Sequence, residues 1–251
     1  MQALSNVRQS LSSGERLSRH RHPYPYAAVV LAGAYREAGS GGRFRVRSGE
    51  VMFHDAFEAH LNSVEPAGAV ILNIPMSVHI PMSPRDAGGA HFGVADVDAL
   101  AAMAERDLFA AAQELLDSLV ELPAPAGDWP DLLAADLRRN AVPCLADWSA
   151  RHGLTPHSLS RGFRAAFGVT PKRFGLECKA HAALRRIRVC GDSLCSIAMD
   201  SGFSDQAHMT RTVADITGSP PSRWQTPLRA PSPCAPSSQI PHAGICRTKC
   251  P

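Results

Sequence analysis

Three histidines in the first quarter of the chain have side chains that suit metal chemistry. His20 and His22 are separated by one residue, and His60 follows further along. Three imidazole nitrogens can bind zinc, iron or copper, and a metal held in this way can activate water or oxygen. The alternative is that these histidines belong to the surface or to the mouth of a fold. We expect no bound metal and no cofactor, and keep His20, His22 and His60 as the candidate ligands should a metal site exist.

A second kind of chemistry is indicated by polar side chains on a pair of short helices at residues 196–224. Gly202 breaks the first helix, Ser204 is predicted to cap the second with Asp205 beside it, and Gly218 ends it. Two helices joined by a turn containing glycine form a helix-turn-helix, whose second helix lies in the DNA major groove. The candidate base-reading residues on that helix are Gln206, His208, Thr210 and Arg211.

Residues 145–168 contain a second pattern of the same kind. Gly153 makes the turn, Thr155 is placed to cap the next helix, and Pro156 stands at its first position, where no N–H is needed. The polar candidates on this helix are His157, Ser160, Arg161 and Arg164. Arg161 and Arg211 are the strongest of all these candidates, because arginine can bond bidentately to guanine O6 and N7.

A helix predicted over residues 170–190 joins the two patterns. At 1.5 Å per residue it spans about 28 Å, near the roughly 34 Å that separates successive major grooves on one side of B-DNA. One chain could therefore place two reading helices in adjacent grooves. The basic residues of this helix that we expect to contact phosphate are Lys172, Arg173, Arg185 and Arg186.

The block at 196–224 resembles the signature of the AraC/XylS family of bacterial transcription regulators. The matching residues are Ile197, Ala198, Gly202, Phe203, Asp205, Gln206, Arg211, Gly218, Ser219 and Pro220. The resemblance implies a sequence-specific regulator rather than an enzyme, which binds double-stranded promoter DNA, forms a homodimer, responds to a small-molecule effector in an N-terminal barrel and, as an activator, contacts RNA polymerase. Val213, Asp215 and Gly162 depart from the pattern and imply weaker DNA binding, or an adaptor that acts through protein contacts.

The N-terminal half is predicted to be rich in strands. Apolar or alternating runs at 26–32, 44–47, 50–54 and 69–74 are separated by glycine turns, as in a small sandwich or barrel. Gly49 to Asn62 resembles the second cupin motif, with Asp55 and Phe57 in place of its proline and glycine. His20 and His22 resemble the first motif, with Tyr26 near the position of a glutamate. The resemblance implies a cupin-like β-barrel, and it keeps open a metal-dependent cupin enzyme fused to a helical domain.

Residues 97–122 are predicted to form one long amphipathic helix. Its apolar stripe is Leu100, Ala104, Leu108, Ala111, Leu115 and Leu119. Such a stripe either packs on its own barrel or, as the family resemblance implies, contributes to a dimer contact. We expect residues 1–122 to form the sensing and dimerisation domain, 123–130 a proline-rich linker, 131–228 the DNA-binding domain and 229–251 a disordered tail.

Composition is consistent with this α+β organisation, in which a cupin-like β-barrel with a helix precedes an all-α domain. Residues 1–139 carry 12 Lys and Arg against 17 Asp and Glu, whereas residues 140–230 carry 12 against 6. The basic half is the one with the helix-turn-helix patterns, as contact with DNA phosphates requires. Seven cysteines are an odd number with no zinc-finger spacing. The first twenty residues lack an apolar signal-peptide core and no run is long enough for a membrane span, so we expect a cytoplasmic protein.

Overall fold

The structure is a computed structural model that describes residues 7–76, 90–123, 126–140, 144–189 and 191–225. Part of the predicted linker, residues 124 and 125, and the predicted disordered tail at 229–251 lie outside the described residues. The N-terminal half consists of strands with two helices, and the C-terminal half is helical.

Eight strands within the described residues form one sheet. They are β1 (Arg8–Leu11), β2 (Arg16–Arg21), β3 (Tyr26–Gly39), β4 (Gly42–Arg47), β5 (Glu50–His54), β6 (Ala59–Pro75), β7 (Ala90–Val94) and β8 (Leu119–Glu121). The strand order is β1-β6-β3-β5-β7-β8, with β2 paired to β6 and β4 paired to β3. The long antiparallel strands β3 and β6 pair with each other at the centre of the sheet. β3 pairs with β5 near its start and with β4 near its end, and β6 pairs with β2 near its start and with β1 near its end.

Two glycines let β3 and β6 bend in the middle. Gly33 and Gly68 both have positive φ angles, of 73° and 74°, a conformation that glycine adopts at little cost. A Cβ on Gly33 would lie 2.0 Å from the carbonyl oxygen of Gly68, so the two backbones approach too closely for a side chain. The bend directs the two ends of the sheet around a common interior.

The two faces of the sheet pack on different cores. Tyr26, Ala28 and Val30 point to an interior cluster, whereas Ala27 and Val29 contact helices on the other face. Those helices are α1 (Val97–Ala104) and α2 (Leu108–Asp117).

The prediction of one continuous helix over residues 97–122 is wrong. The chain leaves the helix after Ala104, and the side chain of Asp107 then caps α2 by accepting from the backbone N–H groups of Phe109 and Ala110. Four residues of the predicted stripe are buried in the core of their own sheet: Leu100, Ala104, Ala111 and Leu115.

The C-terminal half contains six α-helices among its described residues. They are α3 (Trp129–Arg138), α4 (Leu145–Arg151), α5 (Pro156–Phe167), α6 (Pro171–Val189), α7 (Leu194–Asp200) and α8 (Gln206–Thr217), followed by a short 3-10 turn (Pro221–Arg223). The first of these helices begins at Trp129, two residues before the start predicted from sequence. None of the described helices combines the length and the apolar character that a membrane crossing requires.

The expected α+β organisation, with a sheet-rich N-terminal half and a helical C-terminal half, is confirmed. The cupin-like nature of the sheet stays a prediction.

Candidate functional site

The first helix-turn-helix consists of α4 and α5. The Thr155 side chain accepts a hydrogen bond from the backbone N–H of Ser158 at 3.1 Å, and Gly168 ends the helix in the left-handed conformation. Because Leu159, Phe163 and Phe167 are buried, the opposite face of α5 points to solvent. The four predicted DNA-reading residues of this helix are all exposed and follow helical spacing: His157, Ser160, Arg161 and Arg164.

The second helix-turn-helix consists of α7 and α8, and its cap differs from the prediction. Asp205, rather than Ser204, is the N-cap of α8, and its side chain accepts from the backbone N–H of His208 at 2.6 Å. Ser204 is still outside the helix, and its hydroxyl contacts both Asp205 and the Nδ1 of His208. Of the four predicted reading residues, Gln206 and Arg211 are exposed.

His208 and Thr210, the other two, are half-buried. The His208 ring packs edge-on against Phe203, with ring centroids 5.3 Å apart. This imidazole therefore helps to fix the turn between α7 and α8, a role that its spacing in the sequence did not indicate.

The arginines of the reading helices differ in their ion pairs from two arginines of α6. Arg161, Arg164 and Arg211 form no ion pair within 4.0 Å of any carboxylate in the part of the chain that the structure describes. Arg173 and Arg186, in contrast, bind carboxylates of their own half. The pairs are Arg173 with Glu177 and Asp215, and Arg186 with Asp192 and Asp200. Within the described residues, both predicted reading helices thus carry guanidinium groups that form no ion pair.

Helix α6 separates the two reading helices and has 19 residues, so it is about 28 Å long. One of its faces contacts the sheet half through three side chains spaced four residues apart. These are Glu177, which binds Arg19 and Arg21, His181, which binds the Phe57 backbone, and Arg185, which binds Asp55. Helix α6 therefore both separates α5 from α8 and forms the contact with the sheet half.

Glu177 is the centre of this contact. It is 5% exposed and accepts hydrogen bonds from Arg19 at 2.7 Å, from Arg21 at 2.5 Å and from Arg173 at 3.0 Å. Burial by itself raises the pKa of Glu177, but the arginines, Arg19 first, lower it more, and the net pKa lies below the ordinary value. A second guanidinium nitrogen of Arg19 donates to the carbonyl of Phe167, at the end of α5.

Phe57 makes a second connection between the halves. Its backbone has a φ of 64°, a left-handed conformation that a bulky side chain rarely adopts. Its N–H donates to the carbonyl of His22 at 2.6 Å, its carbonyl accepts from Nε2 of His181 at 2.7 Å, and its ring packs edge-on against Trp224. Phe57 thus has the backbone conformation that favours glycine, at the position where the predicted cupin-like motif would have one.

A cavity of about 300 Å³ lies inside the sheet. The polar residues that line it are Gln9, His20, His22, Tyr24, Tyr26, Tyr35, His54, His60, Asn62 and Asn73. The three histidines predicted as candidate ligands are thus together: the ring centroids of His20 and His60 are 4.4 Å apart, and those of His22 and His60 are 5.6 Å apart.

Burial strongly perturbs the pKa of His54, which lines this cavity, and the pKa values of two buried carboxyl groups, Glu37 and Glu58. It raises the pKa of Glu37 well above its ordinary range, with Glu58 adding to the effect. Burial, followed by His22 and His20, lowers the pKa of His54 to about 3. Burial also raises the pKa of Glu58 to about 7.

The comparison with known families bears on the helical half. Residues 148–226 match the family described as "Helix-turn-helix domain". These residues are an AraC-type helix-turn-helix domain. The helical half therefore contains a DNA-binding domain of the kind that transcription regulators carry. No curated protein matches it.

Solved structures similar to the chain are distant. ToxT from Vibrio cholerae strain SCE256, with a bound unsaturated fatty acid, is 10% identical over 87% of this chain and 93% of that one, with a TM-score of 0.38. A DNA-binding transcriptional dual regulator from Escherichia coli K-12 is 18% identical over 41% and 95% of the two chains, with a TM-score of 0.36. A transcriptional regulator with an AraC-type DNA-binding domain from Chromobacterium violaceum is 20% identical over 40% and 91%, with a TM-score of 0.36. Similarity this low carries no argument about the chain.

The departures of the AraC-type domain from the family pattern have structural explanations. Val213 is fully buried in the core between the helices. Asp215 binds Arg173 at 2.9 Å instead of leaving an unpaired negative charge. Gly162 lies directly against the Trp129 indole. A Cβ at this position would lie 2.5 Å from Cζ2 of Trp129, so the close approach requires glycine.

Several residues of the site were missed by the sequence reasoning. Arg19, Arg21 and Glu177 hold the two halves together, and Glu37 and His54 lie beside His60. The only signal for the arginines was their alternation with His20 and His22, which indicates opposite faces of a strand, but β2 itself was not predicted.

Proposed function

We propose that the AraC-type domain binds a bipartite promoter site in a sequence-specific way, with α5 and α8 in two successive major grooves. One observation supports this most: the only described arginines on the two reading helices are exposed and form no ion pair in the described chain. The length of α6, about 28 Å, is compatible with adjacent grooves on one side of B-DNA, about 34 Å apart.

The proposed roles follow from exposure and donor type. Arg161 and Arg211 read guanine O6 and N7 through two parallel hydrogen bonds. His157, Ser160, Arg164 and Gln206 lie on the same exposed faces and complete the contact with bases or the adjacent backbone. His208 and Thr210 contribute at the edge of the α8 contact, since both are half-buried.

Contacts to phosphate are proposed for the basic residues of α6, with Lys172 foremost. Lys172 is exposed and has no carboxylate within 4.0 Å among the described residues. The other three basic residues are held by carboxylates that they must release before they can reach a phosphate fully: Arg173 by Glu177 and Asp215, Arg185 by Asp55, and Arg186 by Asp192 and Asp200.

The sheet half is proposed to sense a small-molecule effector in the 300 Å³ cavity and to transmit its presence through β2. His20 of this strand and His22, which directly follows it, line the cavity, whereas Arg19 and Arg21 bind Glu177 of α6. Since alternate residues of a strand point to opposite faces, a displacement of β2 by an effector moves both arginines against the helix that spaces the two reading helices.

A homodimer and, for an activator, contact with RNA polymerase belong to the same proposal. The apolar stripe predicted as a dimer contact is largely buried inside its own subunit, whereas Phe109 on the outer side of α2 is 68% exposed. Sedimentation equilibrium of the full chain, with and without its DNA site, measures the stoichiometry.

The test is a selection from random duplex DNA, followed by anisotropy titration of the enriched site at two salt concentrations. Arg161→Ala and Arg211→Ala should each weaken binding about 5- to 150-fold and relax the sequence preference of one half-site, because a bidentate base contact is worth about 1–3 kcal/mol. Arg47→Ala is the matched control, since Arg47 is exposed on β4 in the other half.

Three outcomes are informative. Loss at one half-site for each variant, with Arg47→Ala unchanged, supports the proposal. A uniform weakening with a smaller salt slope and an unchanged sequence preference would make the two arginines phosphate contacts. Failure to enrich any sequence would refute specific recognition.

A further inference from the structure

Three buried donors from three different strands meet below the sensor cavity. They are Glu37 of β3, His54 of β5 and His60 of β6, which are 3%, 3% and 1% exposed. Each residue has one potential metal-ligand atom, and these three atoms all lie within 4.8 Å of one another. The trio of candidate ligands predicted from sequence, His20, His22 and His60, lacks a carboxylate, whereas the fold brings a carboxylate and a further imidazole close to His60.

The donor atoms of this trio have no partners that explain their burial. Glu37 Oε2, His54 Nδ1 and His60 Nδ1 are buried and have no hydrogen-bond partner among the described residues. A polar group buried without a hydrogen bond is costly, and most buried polar groups in folded proteins are satisfied. Three such atoms in one cluster indicate that the site is completed by a bound group.

The chemistry of the donors selects the type of group. Two imidazoles and one carboxylate form a ligand set typical of zinc and other first-row transition metals, while calcium and magnesium prefer oxygen ligands alone. Two donors at 2.0–2.1 Å from a tetrahedral ion lie about 3.4 Å apart. The distance from Glu37 Oε2 to His54 Nε2 is 3.6 Å, so an ion fits between them with little movement.

Access to the trio is available from the cavity. His54 and His60 both line it, and Tyr26 holds them in place by stacking on the His54 ring at 4.6 Å and by a contact of 3.4 Å between its hydroxyl and His60 Nε2. His20 and His22 lie nearer the mouth and are only half-buried.

We propose that Glu37, His54 and His60 bind one divalent first-row transition-metal ion at the base of the sensor cavity. The ion binds between the ends of β3, β5 and β6, with Oε2 of Glu37 and Nε2 of His54 among its ligands, and gives the buried carboxylate oxygen the partner that it lacks. The inference deepens the sensor part of the proposed function and rests on it for its regulatory meaning, but binding of the ion does not depend on DNA.

The experiment uses the full chain, freed of metal with a chelator and titrated with Zn²⁺ in competition with a chromophoric chelator. Native protein should bind one equivalent tightly, and Co²⁺ in its place should give the visible absorption of a tetrahedral nitrogen and oxygen site. Glu37→Gln and His54→Gln should each weaken Zn²⁺ at least about 100-fold, since even residues that only orient a ligand contribute 10- to 100-fold. His20→Ala with His22→Ala is the matched control and should keep tight binding.

The outcomes separate the possible sites. Loss of binding in the His20 and His22 variant, with tight binding retained by Glu37→Gln, would place the metal at the mouth and overturn the proposal. Binding unaffected by every variant would assign the metal elsewhere and also overturn it.

Two further measurements keep the test independent of folding and of DNA binding. Zn²⁺ should raise the Tm of the native protein and leave that of Glu37→Gln unchanged, and circular dichroism of the variant without metal reports whether it is folded. DNA affinity measured with and without Zn²⁺ is a separate readout: native DNA binding with no Zn²⁺ binding refutes the metal site alone, while Zn²⁺ binding without any specific DNA site refutes only the regulator proposal.

Discussion

Replacing Glu177 by Gln should loosen the contact between the two halves of the molecule, because this carboxylate holds three arginines. Gln keeps the size and one acceptor oxygen but removes the negative charge, which leaves Arg19, with a side chain 12% exposed, beside no counter-charge. Removing one partner of a buried ion pair typically costs about 3–5 kcal/mol. Arg21 and Arg173 are more exposed, at 28% and 37%, so we expect a loss near the lower end, about 3 kcal/mol.

Differential scanning calorimetry measures this loss. For a chain of this size, about 3 kcal/mol corresponds to a decrease in Tm of about 6–12 °C. Asp192→Asn is the matched control, because it breaks a pair with Arg186 in which both side chains are substantially exposed, 46% and 35%. Such surface pairs contribute about 0–1 kcal/mol. If Glu177→Gln and Asp192→Asn have the same Tm, the buried carboxylate does not stabilise the contact between the two halves, and the route proposed through β2 is wrong.

The same variant has a pH signature with a definite sign. The folded pKa of Glu177 lies below its ordinary value of 4.5, so the folded state binds fewer protons than the unfolded state. The stabilisation is therefore fully present above the unfolded pKa and is lost as the pH falls through the folded pKa. The difference in Tm between native protein and Glu177→Gln should stay constant from about pH 8 to about pH 5.5 and shrink as the pH approaches 3.

Three further predictions concern single positions. Gly162→Ala should destabilise the protein, because its Cβ would lie 2.5 Å from Cζ2 of Trp129. Overpacking of this kind costs about 1–3 kcal/mol, more than the gain of about 1 kcal/mol in helix propensity. Urea unfolding measures the net change in stability, and a net gain would contradict the prediction. Glu58→Gln should increase the free energy of unfolding above about pH 7 by up to about 3 kcal/mol, and so raise the Tm there and flatten its pH profile, because the folded pKa of Glu58 is about 7 and native stability falls as the pH rises from about 4.5 through that value. Asp205→Ala should lower the Tm more than Ser204→Ala, since Asp205 accepts the hydrogen bond from the first turn of α8; the reverse order, measured by circular dichroism, would restore Ser204 as the cap.

The helical half was predictable from sequence because its signals are local. Thr155 and Pro156 mark the start of α5, and the left-handed Gly168 and Gly218 mark the ends of α5 and α8. The linking helix, expected over residues 170–190, forms from Pro171 to Val189. Each of these features depends on residues within one or two helical turns, which is the range that a sequence pattern reports well.

The break after α1 shows where periodicity misleads. The apolar spacing continues from Leu100 through Leu115, so the pattern alone favours one helix. The deciding residue is Asp107, whose side chain caps α2. Aspartate is a strong N-cap, so the signal was present, but it competed with an uninterrupted stripe.

The buried trio could not be predicted, because its geometry is set by strand register. Glu37 pairs with Asn62 of β6, and Ala59 and His60 of the same strand pair with Arg21 and His20 of β2. His54 comes from β5, which pairs with the other edge of β3. Nothing in the spacing of these residues along the chain shows which of them share a face, since a slip of one residue would reverse every side chain.

Two separate connections link the cavity to the DNA-binding half, and they leave from neighbouring points. His20 of β2 and His22 just after it line the cavity, whereas Arg19 and Arg21 of β2 contact α6. The carbonyl of His22 also accepts the Phe57 N–H, and Phe57 in turn binds His181 of α6. A left-handed phenylalanine costs of the order of 1–3 kcal/mol, so this conformation persists only while its contacts on both sides are made. A displacement of His22 would therefore be transmitted to Glu177 through Arg19 and Arg21, and to His181 through Phe57. These two residues are one turn apart on the helix that spaces α5 and α8, so the proposed signal from the cavity would act on the spacing of the reading helices rather than on either helix alone.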